Sequence, residues 1–190
     1  MLLDPCYSEE QIIDVIGDKK EMTALEVLDL DIPAEDRLWA VLREEFIDAS
    51  ILHEFACRCA EEALKLVYKP DPQIVAVIEA KRKWIRGEIF ESELTAAGDA
   101  AWNTARDATW NAAWNVVRDA VNTAVRNVAR SASGAAARST SRATVRAVVF
   151  AEVSAVKSVE EKEAVWEAAW DAANAAQIAI LKTLLKEEMR

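Results

Sequence analysis

The chain has little of the residues from which most active sites are built. Its 190 residues include one histidine, three cysteines and four glycines. A catalytic triad or a metal cage needs several such side chains converging, and no glycine-rich phosphate loop or nucleophile elbow occurs. We therefore predict no catalytic residues, no metal and no cofactor, and expect that the protein is not an enzyme. A hydrolase that uses two carboxylates stays open, because the distance between them is invisible in a sequence.

Residues that break helices are also scarce. The last of the four prolines is Pro72, so the following 118 residues contain none, while alanine occurs 36 times. Alanine is the strongest helix former. The chain is 52% hydrophobic and long enough to bury a core. The composition predicts an all-α, alanine-rich helical domain over residues 1–190, with amphipathic helices in 1–90 and an Ala/Trp/Arg-rich helical half in 91–190.

Segments that direct a protein to a membrane or to secretion are missing from the sequence. No apolar run approaches the 18 or so residues that cross a bilayer, and no basic stretch followed by an apolar one opens the chain. Cys6, Cys57 and Cys59 are odd in number and show no paired spacing, which is typical of a reducing compartment. We expect a cytoplasmic protein with no membrane partner, and buried thiols, since free cysteine is usually buried.

Positive charge is scarce and unevenly distributed. The net charge is −10, from 23 Lys and Arg against 33 Asp and Glu. This balance disfavours a general affinity for DNA or for anionic membranes. Residues 120–151 reverse the sign, because they contain five arginines and no aspartate, glutamate or lysine. The reversal calls for a functional explanation.

Capping residues and seams of apolar side chains predict where helices lie. Ser8 and Gln11 form a capping box before a short helix that Gly17 ends. An apolar seam that includes Cys59 predicts a helix over about 48–68. Other helices are predicted to begin after Asp31 and Pro33, at Asp71 and Pro72, near Ser92, and at Ser158 with Glu161 as its capping partner.

From Ala101 onward the sequence advances in groups of four residues, many with tryptophan or arginine in the second place. Four residues turn a helix by 400°, so this row of side chains advances by about 40° per group. A continuous helix over 92–157 would be about 99 Å long, too long for a compact domain of this size. We expect the helix to break at 131–134, where Gly134 follows weak helix formers, and to fold back as a long tetrad-repeat hairpin enclosed by the other helices.

Three segments, together with the groups of four that follow them, resemble a known family. They are LWAVLREEF at 38–46, EFACRCAEEALKLV at 54–67 and DPQIVAVIEAKRKWIRGE at 71–88. Over roughly residues 20–180 the chain is similar to the Imm-5-like immunity proteins of bacteria and phages. The resemblance implies a small intracellular protein that neutralises a toxin domain or a component of a defence system. It supplies no binding residues.

The arginines of 120–151 predict an anion site at the hairpin. Equal distances from a turn at 133–134 would place Arg130 beside Arg138 and Arg126 beside Arg142. Facing like charges cost free energy unless an anion, an acidic partner or solvent separates them, and the arginine fork suits phosphate. Hydroxyl groups near the turn would add hydrogen bonds, and tryptophans would stack on a base. The predicted ligand-binding residues are Arg126, Arg130, Arg138, Arg142, Ser131, Thr140, Trp110 and Trp114.

The function that we expect is sequestration of an anionic, nucleotide-derived immune signal by a phage or bacterial anti-defence protein. Three other interpretations stay open. The arginines can bond carboxylates on other helices, for example near Glu35, Glu61 or Glu160, while the tryptophans pack in the core. The acidic surface can bind and inhibit a basic protein toxin. The narrow alanine faces can pair with a second copy in a structural homo-oligomer.

Overall fold

The fold is described from a computed structural model, which covers residues 7–17, 19–66, 72–107, 123, 128, 133–156 and 158–190. All regular secondary structure in these residues is α-helical, as the composition predicts. Its helices are α1 (Glu9–Ile16), α2 (Ala24–Val27), α3 (Ala34–Val41), α4 (Ala49–Leu64), α5 (Pro72–Ile85), α6 (Glu91–Asp107), α7 (Ser133–Ala155) and α8 (Val159–Glu188). No helix within these ranges combines the length and the apolar character needed to cross a membrane.

The predicted capping residues define several helix ends. The Ser8 hydroxyl accepts from the Gln11 N–H at 3.3 Å, and the Gln11 side chain accepts from the Ser8 N–H at 2.8 Å. Gly17 follows α1 with a φ of 62°, a conformation that glycine adopts without steric cost. Ser158 likewise precedes α8, and its hydroxyl accepts from the Glu161 N–H at 3.5 Å. These local signals are confirmed because each acts within one turn of helix.

Other helix boundaries differ from the predicted ones. The residue before α3 is Pro33, whose side chain has no group to cap the helix, so Asp31 is not the N-cap. Helix α4 ends at Leu64, short of the predicted boundary. Helix α6 begins at Glu91 because the side chain of Glu93 accepts from the Phe90 N–H at 3.0 Å. Pro72 is the first residue of α5, as predicted.

Helix α4 lies at the centre of the fold and contributes to two cores. One core joins α4 to α5, α6 and α7, and the other joins it to α2, α3, α7 and α8. Phe55, Cys57 and Cys59 are fully buried on α4, which confirms the buried-thiol prediction for these two cysteines. Cys6 lies outside the residues that the structure describes.

Helix α7 is buried over most of its surface and packs on α4 and α8. Its alanines enter both cores, which lets neighbouring helices approach closely. The Thr144 hydroxyl donates to the Cys59 carbonyl at 2.9 Å. The Ser141 hydroxyl donates to the Gln177 amide oxygen, and the Gln177 amide N–H donates to the Ser141 carbonyl at 2.9 Å. These buried hydrogen bonds fix α7 against α4 and α8, so the residues on its open side are firmly positioned.

The arm of the hairpin expected just before Gly134 lies outside the described residues apart from positions 123 and 128, so the predicted pairing of arginines across it stays a prediction. Gly134 is helical, the second residue of α7, and does not itself break the helix. A Cβ atom there would lie 3.4 Å from the Leu42 carbonyl oxygen, so the glycine serves a close approach between chain segments. Helix α7 pairs antiparallel with α8, with the rings of Phe150 and Trp166 in edge contact at 5.3 Å. Residues 131–132, where the predicted turn begins, lie outside the described residues.

Candidate anion-binding cleft

A cleft of about 410 Å³ lies between α3, α7 and α8. One wall is α7, which contributes an arginine row, defined here as Arg138, Arg142 and Arg146. The other walls contribute two carboxylates, two tryptophans and one asparagine. They are Glu35, Asp36 and Trp39 of α3, and Trp170 and Asn174 of α8. The cleft therefore combines cationic, acidic and aromatic side chains in a space large enough for a small molecule.

The spacing of the arginine row explains why its members share one wall. Steps of four residues rotate the row by about 80° from Arg138 to Arg146, so all three side chains remain on one side of α7. That side is the open one, since Arg142 and Arg146 are exposed while the alanines of α7 are largely buried. The predicted four-residue pattern thus lines up three cations along a buried helix.

Arg138 is the most constrained member of the row. Its Nη1 donates to the Leu42 carbonyl oxygen at 2.6 Å, which ties α7 to the end of α3. Burial, and then the neighbouring charges of Arg43 and Arg142, lower the pKa of Arg138 from its ordinary value. The guanidinium of Arg43 stacks on the Trp39 ring at 4.3 Å. Several guanidinium groups therefore lie close together here, although their positive charges repel one another.

The carboxylates of the cleft do not neutralise the arginine row. Glu35 Oε2 accepts from the Trp170 indole N–H at 3.1 Å, and Asp36 Oδ2 accepts from the Tyr7 hydroxyl at 2.6 Å. Within the part of the chain that the structure describes, Arg142 and Arg146 form no hydrogen bond or salt bridge. Two cations thus face the cleft without a bonded counter-ion.

The alternative in which the arginines bond carboxylates near Glu35, Glu61 or Glu160 does not describe this row. Glu61 is bonded by Arg82 of α5, at 2.5 and 3.0 Å. Glu160 accepts from the Ser158 hydroxyl at 2.8 Å, at the start of α8. Glu61 and Glu160 therefore each have another bonding partner, and Glu35 bonds the neutral indole of Trp170.

The aromatic walls come from residues that were not predicted for the site. Trp39 and Trp170 are both half-buried and line the cleft. Indole faces are suited to stacking on a base or on a guanidinium. The tryptophans assigned to this role from the sequence, Trp110 and Trp114, lie outside the described residues.

The eight predicted ligand residues fall into three groups. Arg138 and Arg142 lie together in the cleft. Thr140 is fully buried and does not line it, because two residues rotate a helix by about 200° and turn Thr140 toward the core. The other five lie outside the described residues: Arg126, Arg130, Ser131, Trp110 and Trp114.

Several cleft residues were missed by the sequence argument. Arg146 continues the four-residue pattern that contains Arg138 and Arg142, but the predicted site was chosen from arginines that face each other across the expected hairpin, which pairs Arg146 with no arginine. Glu35 and Trp170 are separated by 135 positions, and no local signal relates them. Their meeting depends on how α3 and α8 pack around α7.

Reactive groups elsewhere in the described residues offer little chemistry. Burial raises the pKa of the Cys57 thiol to about 12 and that of Cys59 well above its ordinary value. Both therefore stay protonated and poorly nucleophilic at neutral pH. Lys81 is fully buried, with its Nζ 3.9 Å from the centre of the Trp84 ring. Nowhere in the described ranges do three or more His, Cys, Asp or Glu side chains form a metal-binding group.

Comparisons of the chain with protein-family models, with curated proteins and with solved structures find no match. The resemblance to Imm-5-like immunity proteins therefore stays a prediction. Function has to be argued from the cleft itself.

Proposed function

We propose that this is a non-enzymatic cytoplasmic protein of a phage or bacterium that sequesters a phosphate-bearing nucleotide in the cleft between α3, α7 and α8. Binding of this kind would neutralise a nucleotide-derived immune signal by lowering its free concentration. The single observation that carries the proposal is that Arg142 and Arg146 line a cleft of about 410 Å³ without a bonded counter-ion among the described residues.

The arginine row differs in sign from the net charge of the protein. The protein carries −10, so its surface as a whole repels anions. An anion would be attracted where the sign reverses, and the arginine row is such a place. Guanidinium groups present forked donors that match phosphate oxygens, and each hydrogen bond to a charged group contributes about 1.5–3 kcal/mol.

The aromatic walls favour a nucleotide over a simple inorganic anion. Trp39 and Trp170 flank the cleft, and both are accessible enough to offer an indole face. Stacking on an aromatic side chain contributes about 1–3 kcal/mol per base. Asn174 is almost completely buried, yet its side chain lines the cleft and donates to the Trp170 carbonyl at 2.9 Å, which holds that part of α8 in place.

A second candidate, inhibition of a basic protein toxin, is favoured by the acidic side of α8. Glu163, Glu167 and Asp171 follow one another at four-residue spacing and are all exposed. Such a surface would steer a cationic partner. Charge reversal at Glu163 and Glu167 would then abolish binding, whereas changes in the arginine row would leave it intact.

The test of the proposed function is a thermal-shift screen of the purified protein. The probes are ADP, ADP-ribose and a 3′,5′-cyclic dinucleotide, at about 0.1 M and about 1 M salt, between which the screening length falls from about 10 to about 3 Å. A ligand that binds the native state raises the melting temperature by mass action. We expect at least one probe to do so, and to do so less at high salt.

The variant Arg142→Gln/Arg146→Gln assigns any binding to the cleft. Loss of two charged hydrogen-bonding groups should weaken binding at least about 100-fold. The control is Arg86→Gln, which removes one positive charge from an arginine outside the cleft that pairs with Glu88 at 2.5 Å. Absence of a shift with every probe, or an equal shift in the double variant and the control, would overturn the proposal.

A further inference from the structure

The two walls of the cleft carry opposite charge. Arg142 and Arg146 extend from α7, while Glu35 and Asp36 belong to the first turn of α3. These groups share one cavity without forming salt bridges with one another. A ligand that fills the cleft must therefore satisfy cations on one side and anions on the other.

The carboxylates are held in place and retain free acceptor atoms. Trp170 and Tyr7 occupy Oε2 of Glu35 and Oδ2 of Asp36. The second oxygen of each carboxylate, Oε1 of Glu35 and Oδ1 of Asp36, accepts no hydrogen bond from the residues that the structure describes. Fixed carboxylate oxygens of this kind attract neutral donors and repel phosphate.

The position of Glu35 relative to Trp170 limits which part of a bound nucleotide would contact the Glu35 carboxylate. The indole N–H lies at the edge of the ring, so the carboxylate that it binds lies beside that edge and not over a ring face. A nucleotide whose base stacks on Trp170 and whose phosphates reach the arginine row would place its ribose between the two, because the sugar joins the base to the phosphates. The two adjacent hydroxyls of a ribose then meet two neighbouring carboxylates, a contact that carboxylates make in other nucleotide sites.

We infer that the ligand is a ribonucleotide with an unsubstituted 2′,3′-diol, and that Glu35 and Asp36 bind this diol while the arginine row holds the phosphates. The inference rests on the proposed function and narrows it. A free polyanion such as pyrophosphate would bind the arginines but would be repelled by the carboxylates of α3. A 3′,5′-cyclic dinucleotide, whose 3′ oxygens are esterified, would lack the diol.

The experiment is calorimetric titration of the whole protein with ADP, 2′,3′-dideoxy-ADP and pyrophosphate, in a buffer free of phosphate. ADP should bind at least about tenfold more tightly than the dideoxy analogue, because the analogue leaves charged acceptors without donors. Pyrophosphate should bind more weakly than ADP and should depend on Arg142 and Arg146 in the same way.

The variant Glu35→Gln should reduce the preference for ADP over dideoxy-ADP and raise the affinity for pyrophosphate. Glutamine keeps the shape and an oxygen acceptor for Trp170, but removes the negative charge. We expect the preference for ADP over dideoxy-ADP to shrink several-fold, and the affinity for pyrophosphate to rise several-fold because a repulsive charge is lost. Glu163→Gln, the same change at an exposed site on α8, should alter neither value. Unchanged melting temperatures exclude misfolding as the cause.

Two results would overturn the inference and leave the proposed function in place, and a third would overturn both. Equal affinity for ADP and dideoxy-ADP, with binding still dependent on Arg142, would leave nucleotide binding in place and remove the diol contact. A preference for GDP over ADP without any effect of the ribose would assign the carboxylates to a base edge. If no probe binds the wild-type protein, the proposed function fails and the inference fails with it.

Discussion

Two arginine-containing regions of this protein differ in how their charge is compensated. Arg82 of α5 makes four hydrogen bonds to Glu54 and Glu61 of α4, at 2.5 to 3.1 Å. These carboxylates raise the pKa of Arg82 above its ordinary value. In the arginine row of α7, by contrast, burial and neighbouring cations lower the pKa of Arg138, and Arg142 forms no salt bridge with any described residue.

The difference separates two uses of the same side chain. Arg82 joins α5 to α4, so its charge is compensated within the fold and contributes to stability. Arg142 and Arg146 lie on the open side of a helix that is already fixed by buried contacts, and neither bonds a described residue, so the fold does not depend on their charges. Arg138 is the member of the row that bonds the fold, through the Leu42 carbonyl. Charge that the fold leaves uncompensated beside a cleft supports the proposal that the cleft binds an anion.

The largest effect on stability is therefore expected at Arg82. Substitution Arg82→Met leaves Glu54 and Glu61 without their shared partner and should lower the free energy of unfolding by about 2–3 kcal/mol. Arg142→Met, which breaks no bond within the described residues, should change it by less than about 0.5 kcal/mol. Urea denaturation of both variants measures the difference. Equal losses would mean that the arginine row is structural.

The sequence was informative where the interaction is local. The four-residue spacing of Arg138 and Arg142 keeps them on one wall, although the sequence predicted them as partners of Arg130 and Arg126 across a hairpin. The capping residues Ser8 and Ser158 mark real helix starts, because such relations act within one or two turns of helix. The class of fold followed from composition alone.

Long-range features of the site were beyond the sequence. Trp39 and Trp170 meet at the cleft only because α3 and α8 pack against α7. The burial of Thr140 was also missed, since an alanine-rich helix offers no clear apolar face from which to infer which side is open. The reversal of charge along the chain pointed to α7, which lines the cleft. It did not identify the cleft residues of α3 and α8.

Lys81 sharpens the comparison because it precedes Arg82 on α5 but is fully buried, with its Nζ over the Trp84 ring. Burial lowers the pKa of Lys81 from 10.5 to about 8. Between pH 8 and 10.5 the unfolded chain holds this proton while the folded protein has released it, so the Lys81 contribution to stability rises with pH. We expect Lys81→Met to be more stable than the wild type at pH 7 by about 2 kcal/mol, and this advantage to disappear by pH 10.5.

The measurement for Lys81 is the difference between the two proteins at each pH. Cys57 acts in the opposite direction, because its thiol pKa is raised to about 12 and the unfolded chain loses that proton first, from about its ordinary value of 9. The wild-type curve alone therefore mixes two trends, and subtraction of the Lys81→Met curve isolates one. A constant difference across this pH range would show that Lys81 does not titrate there.

The smallest expected effect concerns Glu44, a carboxylate that meets α7 without bonding an arginine. It accepts from the Ser133 hydroxyl and from the Gly134 N–H at 3.5 Å, and the Ser133 bond lowers the pKa of Glu44. Its contribution is present above the ordinary value of 4.5 and is lost as pH falls through the lower folded value.

We expect Glu44→Gln to lower the melting temperature slightly at pH 7 and to match the wild type at strongly acidic pH. The neighbouring variant Glu45→Gln, which breaks no hydrogen bond, should be neutral at both. Because Glu44 bonds the start of α7 rather than the arginine row, pyrophosphate affinity at pH 7 should not fall. A loss of affinity would assign Glu44 to the ligand site. The charges that stabilise the fold and the charges that bind ligand would then meet on α7.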